Sequence, residues 1–251
     1  MNRRKRDTPL TPVVITTEEC TLDMKQRIIA ALPLLQDLSS GELQDVHPVF
    51  RELGFAAGEH VNAAQLGASG TPGERGLYVV GAGLVKLLRT DYEGREVVLD
   101  FLVTGEIFGS AVGAAEGDLT VAHTAACVFF VDESPLQDLF RRHPEVASRL
   151  IELTALRVQH LHERLHLLSG APARSRVVAA LQRLGEKLGK ATRDGLLLEI
   201  PLSRDDLASL CGTTPETASR VVSALQREGH LKTGRRWITL AETFRQIPGL
   251  D

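Results

Sequence analysis

Three observations in this 251-residue sequence predict an α+β fold made of a β-roll, one long helix and a C-terminal helical unit with a strand hairpin. Short apolar runs punctuated by glycine fill Gly54 to Val131, the pattern of antiparallel strands joined by tight turns. Apolar residues then recur at spacings of 3, 4, 3, 4 and 3 from Ile151 to Leu168, the seam of a long helix. Two capped helix starts follow, at Ser203 and Thr214. At this length one large or two modest domains are expected, each with its own core. Hydrophobic residues at 43% and charged residues at 24% are ordinary for a globular chain, which excludes disordered and fibrous classes. No apolar run reaches the roughly 18 residues of a membrane span, and "MNRRKRDTPLTPVV" has no apolar region behind its basic start, so no membrane partner and a cytoplasmic location are expected.

Residues 1–22, basic at Arg3, Arg4, Lys5 and Arg6 and interrupted by Pro9 and Pro12, read as a flexible basic tail. A β-roll or jelly roll is assigned to residues 23–134. It is introduced by a helix over "MKQRIIAALPLLQDLSSGELQDVHPVFREL", with Ser39 or Ser40 as cap. Strands are expected at Tyr78 to Val80, Leu84 to Leu88 and Val97 to Val103, with turns at Gly81-Ala82-Gly83 and Asp91-Tyr92-Glu93-Gly94. The Gly-Ala-Gly step reads as a hairpin rather than a phosphate loop, because a strand and not a helix follows it.

Residues 135–169 read as one long helix whose seam, Ile151, Thr154, Val158, Leu161, Leu165 and Leu168, pairs with a second copy of the chain. Arg157, His160, Glu163 and Arg164 flank the stripe and keep it narrow. Gly170-Ala171-Pro172 ends that helix and opens the last unit, residues 170–251. Here 13 Lys and Arg face 9 Asp and Glu from Ala171 onward, whereas the first 170 residues hold 16 against 23. Positive charge is thus concentrated where an anionic partner would dock.

Within that unit a helix over about Arg174 to Gly189 and a strand-like "GLLLEIPL" precede Ser203. Ser203 caps "RDDLASLCG", with Arg204 at its start and Asp205 and Asp206 in its first turn, and the helix ends at Gly212. Thr214 caps the next helix with Pro215 at its first position. Val221, Val222 and Leu225 are expected to face the core. Thr213, Pro215, Glu216, Thr217, Ser219 and Arg220 fall at the exposed end, in the chemistry of a helix that enters a major groove of double-stranded DNA. Arg220 suits guanine N7 and O6, Glu216 a cytosine amino group, and hydroxyls or methyls a thymine. The stretch "HLKTGRRWITLA" adds a strand-turn-strand wing, with Lys232, Arg235 and Arg236 placed for phosphates.

From about Leu32 to Leu240 the chain resembles the Crp/Fnr family of bacterial transcription factors, named for the cyclic-AMP receptor protein and the fumarate–nitrate reduction regulator. The resemblance rests on "YVVGAGLVKLLRTDYEGREVVLDFLVTGEIFGSAV", the long helix, "LSRDDLASLCGTTPETASRVVSALQREGHL" and the wing. It implies a cyclic-nucleotide-binding-like β-roll as sensor, a dimerisation helix and a winged helix-turn-helix, working as a homodimer on DNA with RNA polymerase as a further partner. The segment "ETASR" resembles the Glu-x-x-Ser-Arg form of the fumarate–nitrate branch, implying that Glu216, Ser219 and Arg220 read TTGAT-like half-sites. Pro215 stands where the cyclic-AMP branch, whose half-site is TGTGA-like, carries an arginine.

The resemblance places an effector pocket at Gly105, Glu106, Ile107, Phe108, Gly109, Ser110 and Ala111, with Val97 and Leu99 of the roll and Leu161 and His162 of the long helix. Relatives that bind cyclic AMP hold its phosphate with an Arg-Ser pair. Here Ser110 follows Gly109 and no arginine occurs between Gly105 and Cys127, so only helix N-termini or backbone amides are left to meet that charge. An iron–sulfur cluster needs several cysteines near the N-terminus, where only Cys20 stands. Haem or nitric oxide is a second choice of effector, with His162 and His166 sharing a helix face at i, i+4. Regulation without an effector is a third. A metal site of the cupin type would need paired histidines, and His47, His60 and His123 have no recognised spacing. No nucleophile–base constellation appears, so no catalytic residues and no enzyme are expected. A cyclic-nucleotide-binding module that controls an enzyme or channel would lack residues 203–240.

Overall fold

A computed structural model describes residues 22–61, 76–112 and 118–247, so the basic tail and Cys20 lie outside the described residues. The chain divides into two compact units that do not follow sequence order. The first holds described residues 22–61, 76–85, 104–112 and 120–146; the second holds 86–103, 118–119 and 147–247.

In the first unit the expected single helix near the N-terminus is several short pieces. Helix α1 (Leu22–Ala30) and helix α2 (Ser40–Val46) are separated by a 3-10 turn at Pro33–Leu35, and a second such turn at His47–Val49 leads into strand β1 (Arg51–Phe55). The prolines contribute to the breaks, since Pro33 and Pro48 donate no backbone hydrogen bond, and Leu32 before Pro33 is extended at φ −67 and ψ 128 whereas His47 before Pro48 stays helical and enters the 3-10 turn. Ser39 is the cap of α2: its hydroxyl accepts from Glu42 N while the Glu42 carboxylate accepts from Ser39 N at 2.8 Å, a reciprocal box.

Strand β1 pairs antiparallel with β7 (Ala126–Asp132), which pairs with β2 (Gly76–Ala82), which in turn pairs with β5 (Ile107–Phe108). The apolar run "CVFFV" in β7 and "LYVV" in β2 are buried on both faces, so neither strand alternates polar and apolar residues. Phe50 meets Phe129 edge-on with centroids 6.4 Å apart, and Tyr78 packs against Phe108 and Phe130 at 4.9 and 4.5 Å. The Gly81-Ala82-Gly83 step is not the expected hairpin turn, because β2 pairs with β5 and β7 while the strand from Val85 lies in another sheet. It is a crossover in which Gly83 has φ +83, and a Cβ there would stand 2.3 Å from the Ala125 carbonyl oxygen, so only glycine fits.

Helix α3 (Glu133–Arg142) and helix α4 (Pro144–Gly170) replace the single helix expected over residues 135–169. His143, at φ −132 and ψ 77, stands between them because Pro144 prevents its residue from staying helical.

In the second unit, β3 (Val85–Thr90) and β4 (Glu96–Leu102) form a hairpin with the start of β6 (Asp118–Ala122) alongside β3. Asp91 organises the turn by accepting from Glu93 N, Arg95 N and Arg95 Nε at 2.8 to 2.9 Å, bonds that hold its carboxyl below the usual carboxylate range. Helix α5 (Ala173–Leu188) leads to a sheet of order β10-β11-β9-β8, formed by β8 (Lys190–Thr192), β9 (Gly195–Leu198), β10 (Leu231–Gly234) and β11 (Trp237–Leu240). Helices α6 (Arg204–Leu210) and α7 (Pro215–Arg227) sit between β9 and β10 in the chain. Among the described residues no helix is long and apolar enough to cross a membrane.

Candidate nucleic-acid interface

The α6–α7 pair is built from its caps inward. The Ser203 hydroxyl accepts from Asp206 N at 2.9 Å and the Thr214 hydroxyl accepts from Thr217 N at 3.3 Å, each satisfying a backbone donor that a helix start leaves unpaired. Between them the chain turns through Gly212 at φ +57, in the left-handed region that costs an L residue about 1–2 kcal/mol. Thr213 N then donates to the Ala208 carbonyl at 2.9 Å and closes the turn.

Leu207, Ala208 and Leu210 of α6 and Ala218, Val222 and Leu225 of α7 are buried. Ala218 takes the core place expected of Val221, which is only half-buried. The reason is the helical period: 218, 222 and 225 fall on one stripe at spacings of four and three, and 221 lies beside it. On the other side Glu216 and Arg220 are exposed one turn apart, with Ser219 and Thr217 half-buried between them. Arg220 Nη2 donates to Thr217 Oγ1 at 3.1 Å, which aims the guanidinium along the helix. Hydrogen bonds from its own backbone N–H and from Thr214 hold the Glu216 carboxyl below its ordinary value, so it is an anionic acceptor at neutral pH. Pro215 and Thr213 are half-buried, and Ser203 is exposed. Arg204 is half-buried at the start of α6, where burial lowers its pKa from the ordinary arginine value.

The wing forms as expected. Strand β10 pairs with β11 from Leu231–Leu240 to Gly234–Trp237, which leaves Arg235 and Arg236 exposed at the tip. Lys232 is also exposed, but its ammonium lies 3.0 Å from Asp194 in a surface pair.

The seam residues of α4 behave as an uncovered apolar stripe. Ile151 is 70% exposed and Leu165 62%, with Val158, Leu161 and Leu168 also exposed and Thr154 bonded to the Leu150 carbonyl. Leu156, outside the expected seam, is exposed with them.

The sensor-side expectations fare differently. Ile107 and Phe108 are buried in β5, opposite Val79 and Tyr78, and so fill core. The Ser110 hydroxyl accepts from Gly76 N at 2.9 Å. Ser110 and Ala111 line a cleft of about 430 Å³ with Gly76, Glu133, Leu136, Gln137 and Phe140. Among the described residues its lining thus carries an acidic group and no cation, which does not suit a cyclic phosphate. Gly105 and Glu106 lie in the bend before β5, where Gly105 N donates to the Val80 carbonyl and Val80 N donates to that of Glu106. Gly109 follows β5 at φ +106. Val97, Leu99, Leu161 and His162 belong to the second unit, the first two half-buried and the last two exposed. His162 and His166 are exposed, His60 is exposed and His123 half-buried; none of these joins a cluster with ligand spacing among the described residues. Burial, reinforced by Lys25, lowers the His47 pKa. Burial pushes the Cys211 thiol up to about 12, so it stays protonated.

What the sequence reading missed is a set of polar links within the second unit. Val98 N donates to Ser209 Oγ at 2.6 Å, and Lys86 pairs with Asp206 at 2.9 Å. Arg164, half-buried, donates to the Leu99 carbonyl and, at 3.0 Å, to that of Leu210. Lys187 reaches the Asp100 carboxylate at 3.3 Å and the Phe101 carbonyl at 2.9 Å. These join the β3–β4 hairpin to α4, α5 and α6.

Residues 175–243 match the Crp-like helix-turn-helix domain family and residues 66–143 the cyclic nucleotide-binding domain family. The chain is 36% identical over 174 residues to the cyclic AMP receptor protein of Thermus thermophilus, covering 66% of this chain and 75% of that one. It is 24% identical over 208 residues to the nitrogen fixation regulation protein FixK of Bradyrhizobium diazoefficiens, covering 83% and 85%. Among solved structures it is similar to FixK2 from Bradyrhizobium japonicum, with a TM-score of 0.67, 26% identity, and coverage of 78% and 95%. The expected order of β domain, helices and C-terminal helix-turn-helix agrees with these relatives, which are transcriptional regulators.

Proposed function

Since the chain belongs to the Crp/Fnr family of transcriptional regulators, we propose that it acts as a homodimer on a palindromic, TTGAT-like DNA site and is controlled through its β-roll. The observation that carries this reading is the face of α7. Glu216 and Arg220 stand exposed one turn apart at the start of a helix whose opposite stripe is fully buried. Such a face can enter a major groove, with Arg220 donating two bonds to a guanine, Glu216 accepting from a cytosine amino group and Ser219 close to the same bases. Arg235 and Arg236 at the wing tip, and Lys232 after exchange from Asp194, meet phosphates and set position rather than sequence.

The exposed seam of α4 supports self-association, because an apolar stripe of this length is stabilised by a second copy of itself. In this reading residues 23–134 are the sensor, 135–169 the dimerisation segment and 170–251 the DNA-binding part. Two recognition helices then meet half-sites one DNA turn, roughly 34 Å, apart. RNA polymerase is the further partner that the family implies. Among the described residues the cleft beside Ser110 offers no cation, so selective DNA binding is expected without cyclic AMP.

The test is fluorescence anisotropy of the purified protein on a TTGAT…ATCAA duplex and a scrambled control at fixed salt, with and without cyclic AMP. Selective binding without nucleotide supports the reading. Selectivity that appears only with cyclic AMP overturns its effector part, and equal affinity for both duplexes overturns the site.

A further inference from the structure

We propose that Glu42, His143 and Glu145 form a binding site for one divalent transition-metal ion of the zinc type, at the break between α3 and α4. His143 is 8% exposed, and its Nδ1 is buried without a hydrogen-bond partner, an arrangement that costs free energy unless something occupies that lone pair. Two carboxylate oxygens face the same nitrogen: Glu145 Oε1 at 3.3 Å and Glu42 Oε1 at 4.0 Å. The three ligand atoms all lie within 4.8 Å of one another. Bonds of about 2.0–2.2 Å in a tetrahedral shell hold ligand atoms roughly 3.3–3.6 Å apart, so a modest contraction closes the site around an ion.

The donor set selects the metal. One imidazole nitrogen with two carboxylates suits zinc and its neighbours, whereas calcium and magnesium prefer all-oxygen shells. Glu42 is oriented from behind, since its other oxygen, Oε2, accepts from Ser39 N at 2.8 Å. Such outer support fixes a ligating group before the ion arrives. His143 is held in turn by its backbone, whose N–H donates to the Leu139 carbonyl at 2.8 Å. Three protein ligands leave a fourth position for water. The bound ion would tie α2 to the first turn of α4.

The experiment uses the full chain stripped by chelator and titrated with Co²⁺, read by its visible absorption, and then with Zn²⁺ in competition. One ion per chain is expected, with a rise in melting temperature on Zn²⁺ addition because only the folded state holds the site. His143→Gln and Glu145→Gln should each weaken affinity by about tenfold or more, as ligand losses do. A His162→Ala/His166→Ala double variant should bind as the parent does. Glu145 is the cleaner change, because Glu42 also caps α2; if His143→Gln fails to fold, Glu145→Gln decides. Absence of saturable binding, a loss below about tenfold in Glu145→Gln, or equal loss in the double variant overturns the proposal.

Discussion

Helix α7 and the bend from Gly105 to Val112 were both singled out by short polar motifs, and the structure treats them in opposite ways. In α7 the polar groups at Glu216 and Arg220 remain exposed while Ala218, Val222 and Leu225 carry the packing. In the bend, Ile107 and Phe108 carry the packing, the Ser110 hydroxyl is taken by Gly76 N, and the charged residue among the described ones lining the cleft, Glu133, is an acid. A polar residue signals recognition when its donors stay available beside a rigid apolar stripe; one satisfied by neighbouring backbone signals architecture.

Perturbing α7 from both sides sharpens this contrast. The largest effect is expected from Leu225→Ala, a fully buried side chain whose loss should lower stability by about 2–5 kcal/mol in chemical denaturation. Arg220→Ala should leave the melting curve nearly unchanged and weaken binding to the TTGAT…ATCAA duplex by about 1–3 kcal/mol, with little change on the scrambled duplex. Equal losses on both duplexes would remove the base-reading role and with it the distinction between the two regions. Arg235→Ala should weaken all sequences alike and reduce the slope of log affinity against log salt by about one, seen in a salt titration. The smallest effect is expected in the bend. Ser110→Ala loses one hydrogen bond worth about 0.5–1.5 kcal/mol of stability and should leave nucleotide-free DNA affinity intact, as anisotropy would report.

The legible parts of the molecule were those governed by local rules. Ser39, Ser203 and Thr214 cap helices as their spacing predicts, and the turn at Gly94 closes the β3–β4 hairpin where the apolar run breaks. Residues 24–53 deceived because an apolar period continued across Pro33 and Pro48, and periodicity carries no information about a missing backbone donor. Val221 was expected in the core where Ala218, one turn earlier on the same helix, packs instead. The effector pocket was the least legible, since its expected residues come from three separate segments and any assembly of them depends on packing that no spacing encodes. The same holds for Arg164, whose neighbours Leu99 and Leu210 are 65 and 46 positions away.

The links from β4 to α6 have a consequence for how the protein comes apart. Asp206 and Ser209 sit on the first helix of the DNA-binding pair, yet one is paired with Lys86 and the other holds the amide of Val98. Opening the hairpin therefore releases a carboxylate and a hydroxyl on α6 at the same moment. In native-state hydrogen exchange the amide of Val98 and those of α6 should share one opening free energy and respond together to denaturant, as a single cooperative segment. A fragment cut at Gly170 would carry the helix-turn-helix into solvent without that partner strand, and its α6 amides would exchange faster than in the whole chain.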